Sequence, residues 1–517
     1  MKPMRSQEST RRWLLAGVGI AVALIGASLS SVSGATSRST TFGVGPVHHV
    51  GTWIVDNEDR VVITHGLDIL WKTAPYYPPA FSAKDAQFLV SQGFTGARIG
   101  FLWVGVEPEP GSYDTSSVKH IARLNAILGR YGIRTLVDFH QDDYSANYGG
   151  DGAPAWASIG RSAEDAFENL WSDQAVDGTG LIQQFTTAWK TAATTLRSAP
   201  NLLGFDIFNE PYAGTSTGCA LFSPCPNFEE GQLTSFYRTM ITAIRKVDAH
   251  TLVFYEPVPQ LTGAATSLPA PLDDDPDLGF TFHYYDRSCD LTTNPSAYAA
   301  QVAQDTRCTP AEQAALRAGI TYAARAGTAV DLGEFGDSEN YTDDANMVDL
   351  TTEDFLNWTY WEYYMTKAST SPGLLIDDHR AGATTNARTA LLDALVVPYP
   401  EEIAGTPGTY TLDRSDWVMH LQYSTASVDP KMACTGAATE VFVPRRDYPH
   451  GYRVRVTGGR VVSPPSWPWV EVLANRGARQ VALTVSRAKD STTHVATSAI
   501  DPRAPVPTCH HVNGGAT

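Results

Sequence analysis

The chain has 517 residues, 43% of them hydrophobic, with 12 Trp, 22 Tyr, a formal net charge of −17 and a pI near 5.2. That length exceeds one ordinary domain and suits two if one of them is an α/β barrel of about 250 residues or more. The acidic balance argues against a nucleic-acid binder, because phosphates would be repelled over the whole surface, and it disfavours docking by charge on an anionic lipid surface.

The N-terminal stretch "TRRWLLAGVGIAVALIGASLSSVSGATS" joins Arg11 and Arg12 to an apolar run from Trp13 to about Leu29, then to small residues offering a cut near Gly34 or Ala35. Those three parts predict a secretory signal over 1–35, loosely of twin-arginine type. A single membrane anchor is the alternative reading, with the run near the lower limit for spanning a bilayer. A Ser/Thr-rich leader occupies 36–44, and the expected destination is extracellular. Six cysteines, an even number, fit that oxidising compartment. Nearness in sequence pairs Cys219 with Cys225, Cys289 with Cys308 and Cys434 with Cys509, one connectivity among many. Their scatter, with no CxxC or Cys/His cluster, speaks against zinc, and no metal or cofactor is expected.

Strand-like runs then alternate with helical patterns. Strands are predicted at 61–67 ("VVITHGL"), 95–101 ("TGARIGF"), 133–139 ("IRTLVDF"), 202–208 ("LLGFDIF"), 251–255 ("TLVFY"), 279–284 ("GFTFHY"), 328–333 ("TAVDLG") and 357–363 ("NWTYWEY"). Between them, segments such as "KHIARLNAILGRYG" and "LTSFYRTMITAIRKVDAH" place apolar residues at helical spacing. This alternation predicts a (β/α)8 TIM barrel, of class α/β, over 45–400, with working residues at the C-terminal ends of the strands. Past "VVPYPEEIAGTPGTY", period-two runs such as "YRVRVTG" and "RQVALTVSRA", separated by Gly, Pro and Asp, predict a C-terminal β-sandwich over 401–517.

Each predicted strand end can be read for chemistry. Strand two offers Arg98, strand three His140 and Asp142, strand four Asn209 and Glu210, strand six His283 and Tyr285, strand seven Glu334, and strand eight Trp361. Acids on strands four and seven suit glycoside hydrolysis, in which two carboxyls about 5 to 5.5 Å apart give retention of configuration. Glu210 would be the acid/base and Glu334 the nucleophile. Arg98 and Tyr285 would keep Glu334 ionised, whereas Glu210 would stay protonated until the leaving group departs. Asn209 would reach the sugar 2-hydroxyl, and Trp361 would offer a face for stacking. Glu256, also followed by Pro, is a rival acid. Asp138, inside its strand, reads as buried structure; Asp143, Asp286 and Asp337 read as loop residues; His140 and Trp361 have plain packing as the alternative.

The strand-four "FNEP", strand-seven "GEFG", strand-six "HYY", strand-three "DFHQD" and strand-two "RIGFLWVGVEPEPGSYD" together resemble glycoside hydrolase family 5. Within it, "DFHQDDYS", "GVEPEPGSYD", "LWKTAPYYPP" and the "AGTP" leading into the sandwich resemble the endoglycoceramidases of actinobacteria, over roughly residues 45 to 510. The resemblance implies cleavage of the β-glycosidic bond between an oligosaccharide and ceramide in a glycosphingolipid, without a metal. It also implies that Lys72, His140, Asp142, Asn209, His283, Tyr285 and Trp361 bind the innermost sugar. The "AGTSTGCALFSPCPNFEEGQ" insertion and the "DRSCDL" tail of strand six depart from the pattern and border the cleft.

Aromatic and Pro-rich loops carrying Tyr76, Tyr77, Phe81 and Trp156 suggest an apolar groove for ceramide, with transient contact with membranes or micelles and no obligate protein partner. An endo-β-glucanase or glucosylceramidase-like hydrolase of the same fold is the enzymatic alternative. An inactive carbohydrate- or glycolipid-binding protein is the non-enzymatic one, opposed by the intact Glu210 and Glu334.

Overall fold

The computed structural model describes residues 44–220, 223–259, 265–285, 305–336, 340–365, 373–488 and 508–511; the expected signal, the leader up to its last residue, Cys289, Asp286 and Asp337 lie outside them. Its barrel strands are β1 (His65–Ile69), β2 (Gly96–Leu102), β3 (Arg134–His140), β4 (Leu202–Asp206), β5 (Leu252–Tyr255), β6 (Leu278–Tyr284), β7 (Ala329–Phe335) and β8 (Asn357–Tyr360). They close on themselves in chain order, every neighbour parallel. A parallel sheet covered on both faces wants near-continuous apolar runs, and β2, β3 and β7 are buried at every residue.

Helices form where apolar spacing of three to four meets a cap. Thr115–Gly129 starts on Asp114, which accepts from the Ser116 N–H, and buries Val118, Ile121, Leu124 and Leu128. Leu181–Leu196 lays Phe185, Ala188 and Trp189 against the barrel in the same way.

The predicted first strand divides. Val61–Val62 pairs into a seven-stranded sheet, and only from His65 does the chain enter the barrel. That sheet runs 47–50, 53–56, 61–62, 399–403, 438–442, 469–474, 459–461, so it takes strands from both sides of the expected junction at 400–401. A four-stranded antiparallel sheet (406–413, 418–424, 480–487, 452–457) follows it, with the alternating burial of a half-covered sheet. The C-terminal sheets meet the barrel at the N-terminal ends of its strands. The His65 ring, first in β1, stacks on Tyr399 at 3.6 Å and on Trp358 at 4.5 Å, and the Tyr399 hydroxyl bonds to Thr95 and donates to the Gly93 carbonyl.

Cys219 and Cys225 form a disulfide. Cys434 and Cys509 face each other across an antiparallel pair, and Cys509 is disulfide-bonded. No helix among the described residues is long and apolar enough to cross a membrane.

Candidate active site

The segment after β4 turns sharply at the barrel mouth and is held from beneath by side chains of its neighbours. Asn209 N–H donates to the Phe139 carbonyl at 3.1 Å and its side chain to the Gln141 carbonyl at 2.9 Å. The Gln141 amide returns donors to the carbonyls of Asn209 (2.8 Å) and Glu210 (2.9 Å). Glu210 sits at φ +42°, left-handed backbone that costs a non-glycine residue on the order of 1 kcal/mol. Its N–H donates to Glu256 Oε2 at 2.8 Å, so a carboxylate at the end of β5 secures that conformation.

Glu334, near the end of β7, is buried and doubly bonded. Arg98 Nη1 donates to its Oε1 at 2.5 Å and the Tyr285 hydroxyl to its Oε2 at 2.8 Å. His283 stands between the two candidate carboxylates, its Nδ1 2.9 Å from Glu210 Oε1 and 3.4 Å from Glu334 Oε2, while its Nε2 lies 3.3 Å from Glu256 Oε1. One oxygen of Glu210, one of Glu334 and a His283 nitrogen all lie within 4.8 Å of one another.

Beneath this pair Arg98, fully buried, reaches Asp68 (3.2 Å), Asp138 (3.2 Å), Asp206 (2.9 Å), Glu256 (3.0 Å) and Glu334, and donates to Asn209 Oδ1 at 2.8 Å. One guanidinium cannot neutralise that many acids. Burial, reinforced by Glu334 for Asp68 and by Glu256 for Asp206, holds both aspartates well above the ordinary carboxyl range. Burial alone would depress His283, but Glu256 and Glu334 raise it well above the ordinary histidine value, so it donates as an imidazolium. Burial also works against an ionised Glu256, yet His283, Arg98 and the Glu210 N–H pull it down to about 2. Glu256 therefore has no proton to give near neutral pH, and the rival acid becomes a support for Glu210. Glu334 moves the other way from expectation: burial raises its carboxyl against the pull of His283 and Arg98.

A second group lies on the β1 and β3 side. Lys72 forms an ion pair with Asp142 and stands 4.6 Å over the Trp361 ring. His140 Nδ1 is bonded to Asp138 Oδ2 at 2.8 Å, its Nε2 is 3.6 Å from Asp142 Oδ2, and its ring stacks 5.2 Å from that of Trp361. Trp361 is only 6% exposed and packs with Leu70 and Leu102, so much of the face expected for a sugar is already covered. Three clusters of ligand-type side chains occur among the described residues: His140–Asp142–Asp151, Glu210–His283–Glu334 and Asp138–Asp206–Glu256. Each already has positive charge from the chain itself, in Lys72, His283 and Arg98 respectively.

The expected apolar groove is a different matter. Tyr77 stacks on His120 at 4.0 Å, Phe81 meets Tyr363 edge-on, and Trp156 packs edge-on against Trp103 and donates to the Glu107 carbonyl. Each of these three thus packs on a ring from another element: the Thr115–Gly129 helix, the segment after β8 and the segment after β2. Tyr76 alone of the four joins the Leu70–Leu102–Trp361 cluster beside Tyr285. A cavity of about 420 Å³ lies instead next to Glu210, lined by Glu164, Tyr212, Thr215, Cys219, Ser223 and Val258; the Tyr212 hydroxyl reaches Glu210 Oε2 at 3.4 Å. A larger cavity of about 810 Å³ lies among the C-terminal strands, lined by residues such as Asp59, Arg460 and Arg476, and none of the candidate site residues borders it.

The structure thus brings Arg98, Asn209, Glu210, His283, Tyr285 and Glu334 into one bonded set, and Lys72, His140, Asp142 and Trp361 into another. Sequence reasoning missed Gln141, Asp68, Asp206 and Asp151. A lone Asp inside an apolar strand, as in "GLDI" and "GFDI", was the available signal for two of them.

Residues 56–366 match the family model described as cellulase (glycosyl hydrolase family 5), and 398–494 match the glycoside hydrolase family 5 C-terminal domain. Endoglycoceramidase I of Rhodococcus hoagii is 26% identical over 467 residues, covering 84% of this chain and 87% of that protein. The structure of endo-glycoceramidase II from a Rhodococcus species in complex with ganglioside GM3 superposes with a TM-score of 0.66 at 23% identity, over 84% of this chain and 99% of that one. A crystal structure of an endogalactoceramidase does so with a TM-score of 0.66 at 19% identity, over 86% of this chain and 100% of that one. With the barrel model covering more than half of its length, this chain belongs to glycosyl hydrolase family 5 and is a glycoside hydrolase.

Proposed function

We propose that this hydrolase cleaves the β-glycosidic bond between oligosaccharide and ceramide in glycosphingolipids, with retention of configuration, and that it is secreted. The observation that carries the mechanism is the approach of Glu210 and Glu334 carboxyl oxygens to within 4.8 Å. That suits the roughly 5 to 5.5 Å of a nucleophile and acid/base pair and is too short for the about 6.5 to 9.5 Å that admits a water between them. Similarity to endoglycoceramidases over most of the chain supports the substrate. The N-terminal pattern and the Cys219–Cys225 disulfide support an oxidising destination.

In this reading Glu334 attacks the anomeric carbon while Glu210 gives a proton to the departing ceramide oxygen. The ester formed on Glu334 is then hydrolysed by a water that Glu210 deprotonates. Arg98 and Tyr285 fix the attacking carboxylate by one oxygen each. The His283 imidazolium, 3.4 Å from Glu334, favours the ionised form of the attacking carboxylate. Asn209 has one amide proton engaged by Gln141 and keeps the other for the 2-hydroxyl.

Thin-layer chromatography of products from a ganglioside, lactosylceramide and carboxymethylcellulose tests the proposal. Intact oligosaccharide plus ceramide is the expected result; equal or better cutting of carboxymethylcellulose overturns the lipid assignment in favour of an endo-β-glucanase. Proton NMR of the first-formed sugar should show the β-anomer.

A further inference from the structure

The loop that leaves β3 returns through "NYGGDGAP" and lays Asp151 beside Asp142. The two residues pair across an antiparallel bridge, Asp151 N–H to the Asp142 carbonyl at 2.8 Å and Asp142 N–H to the Asp151 carbonyl at 3.2 Å. Flanking glycines allow this approach. A Cβ at Gly150 would stand 1.7 Å from the Asp142 carbonyl oxygen, and one at Gly152, where φ is +113°, would stand 2.4 Å from Gln141 Cβ. The outcome is a carboxyl group only 5% exposed whose two oxygens accept no hydrogen bond. A buried carboxylate left in that condition is costly, whereas a buried carboxylic acid next to an acceptor is not.

The groups facing Asp151 are few. Lys72, from the segment after β1, has its ammonium 3.5 Å away while paired with Asp142. Asp142 and His140, from the end of β3, complete a cluster whose ligand-type atoms lie within 4.8 Å. Glu362, after β8, acts on Lys72 from farther off.

We propose that Asp151 is a positioning residue that exchanges a proton behind the Lys72–Asp142 pair and so sets how well that pair holds a sugar hydroxyl, making substrate affinity rather than turnover follow its protonation. This rests on the reading that Lys72 and Asp142 bind the sugar. Burial, then the neighbouring Asp142, raises the Asp151 carboxyl to about 7 against the pull of Lys72 and His140. Below that value Asp151 keeps its proton for Asp142, and Lys72 answers to one carboxylate with a donor left over for the sugar. Above it, two carboxylates draw the ammonium inward, and the sugar loses that donor.

Steady-state kinetics on a soluble aryl β-lactoside, with the full chain, read this directly. The KM should rise about fivefold, the worth of one hydrogen bond, across pH 7, with no matching inflection in kcat. In Asp151→Asn, which is near-isosteric and fixed in the neutral state, KM should be flat; Asp151→Ser serves the same purpose if the amide disturbs the loop. An unchanged KM profile in these variants, or a change confined to kcat, overturns the proposal.

A second readout needs no turnover. The folded-state acid is raised above its ordinary range, so its contribution to stability is present at low pH and lost as pH rises through about 7. The Tm of Asp151→Asn should therefore gain on that of the unsubstituted protein over that window, and parallel curves overturn the proton exchange. Failure to cut any β-glycoside, with the Tm linkage intact, would instead count against the sugar-binding part of the proposal and the proposed function.

Discussion

Glu210 and Glu256 end neighbouring strands of one barrel, each stands immediately before a proline, and each lies within reach of His283, yet their surroundings give them opposite tasks. The Glu210 side chain keeps 14% of its surface, with one oxygen on His283 and the other near the Tyr212 hydroxyl. The Glu256 side chain keeps 2%, and its oxygens are spent on Arg98, His283 and the Glu210 N–H. The difference teaches that the more exposed carboxyl at one strand end is backed by a buried carboxylate at the next. Glu256 holds the left-handed turn that aims Glu210 and balances the cations gathered there.

The largest effect that tests this contrast comes from the acid neither strand supplies. Replacing Glu334 with Gln should lower turnover by more than about four orders of magnitude with folding intact, since the amide cannot attack carbon. Near-normal activity would remove the pair on which the contrast rests. Glu210→Gln should cost about three orders on glycolipid but far less on aryl glycosides whose leaving group needs no proton. Azide should then rescue it, yielding a β-glycosyl azide. Equal deficits on natural and activated substrates would show that Glu210 is not the proton donor.

Glu256→Gln should act on stability first, by about 3 kcal/mol, because Arg98 and His283 lose a buried counter-charge. Its kinetic loss should not depend on the leaving group. The folded-state value of about 2 lies below the ordinary glutamate range, so this stabilisation is present above that range and lost as pH falls through about 2. Calorimetry should thus show the Tm gap between the two proteins closing on acidification, and a constant gap would break the assignment. The smallest effect is expected from reduction of Cys219–Cys225, whose ring spans a sequence separation of only 6. Closing so short a loop is worth about 2 kcal/mol locally, and reductant should lower glycolipid cleavage by roughly twofold to threefold. No change in activity alongside confirmed free thiols would separate the loop from the site.

Much of this was readable in advance. Glu210 and Glu334 stand out because apolar runs that end on acids, eight times alternating with helices, leave few places for two carboxyls to meet. Arg98, Asn209, His283 and Tyr285 follow from the same register, and the match of the barrel strands to the predicted runs is within a few residues. Where reading failed, a long-range partner decided. Val61–Val62 looked continuous with β1 but pairs with Glu402 and Ile403, some 340 residues later, which no local period reveals. The ring partners of Tyr77, Phe81 and Trp156 were equally hidden, because loop aromatics carry no mark of the rings they pack against.

The amino-acid sequence by itself determined the barrel and the strand ends at which Glu210 and Glu334 come together, since periodicity and strand polarity are local properties of the chain. Only the tertiary structure decided which carboxyls keep their protons. Glu256 is held ionised and Asp151 near neutrality by groups brought within about 4 Å from different strands and loops, and at that range burial and charge shift a titration by more than the residue type does.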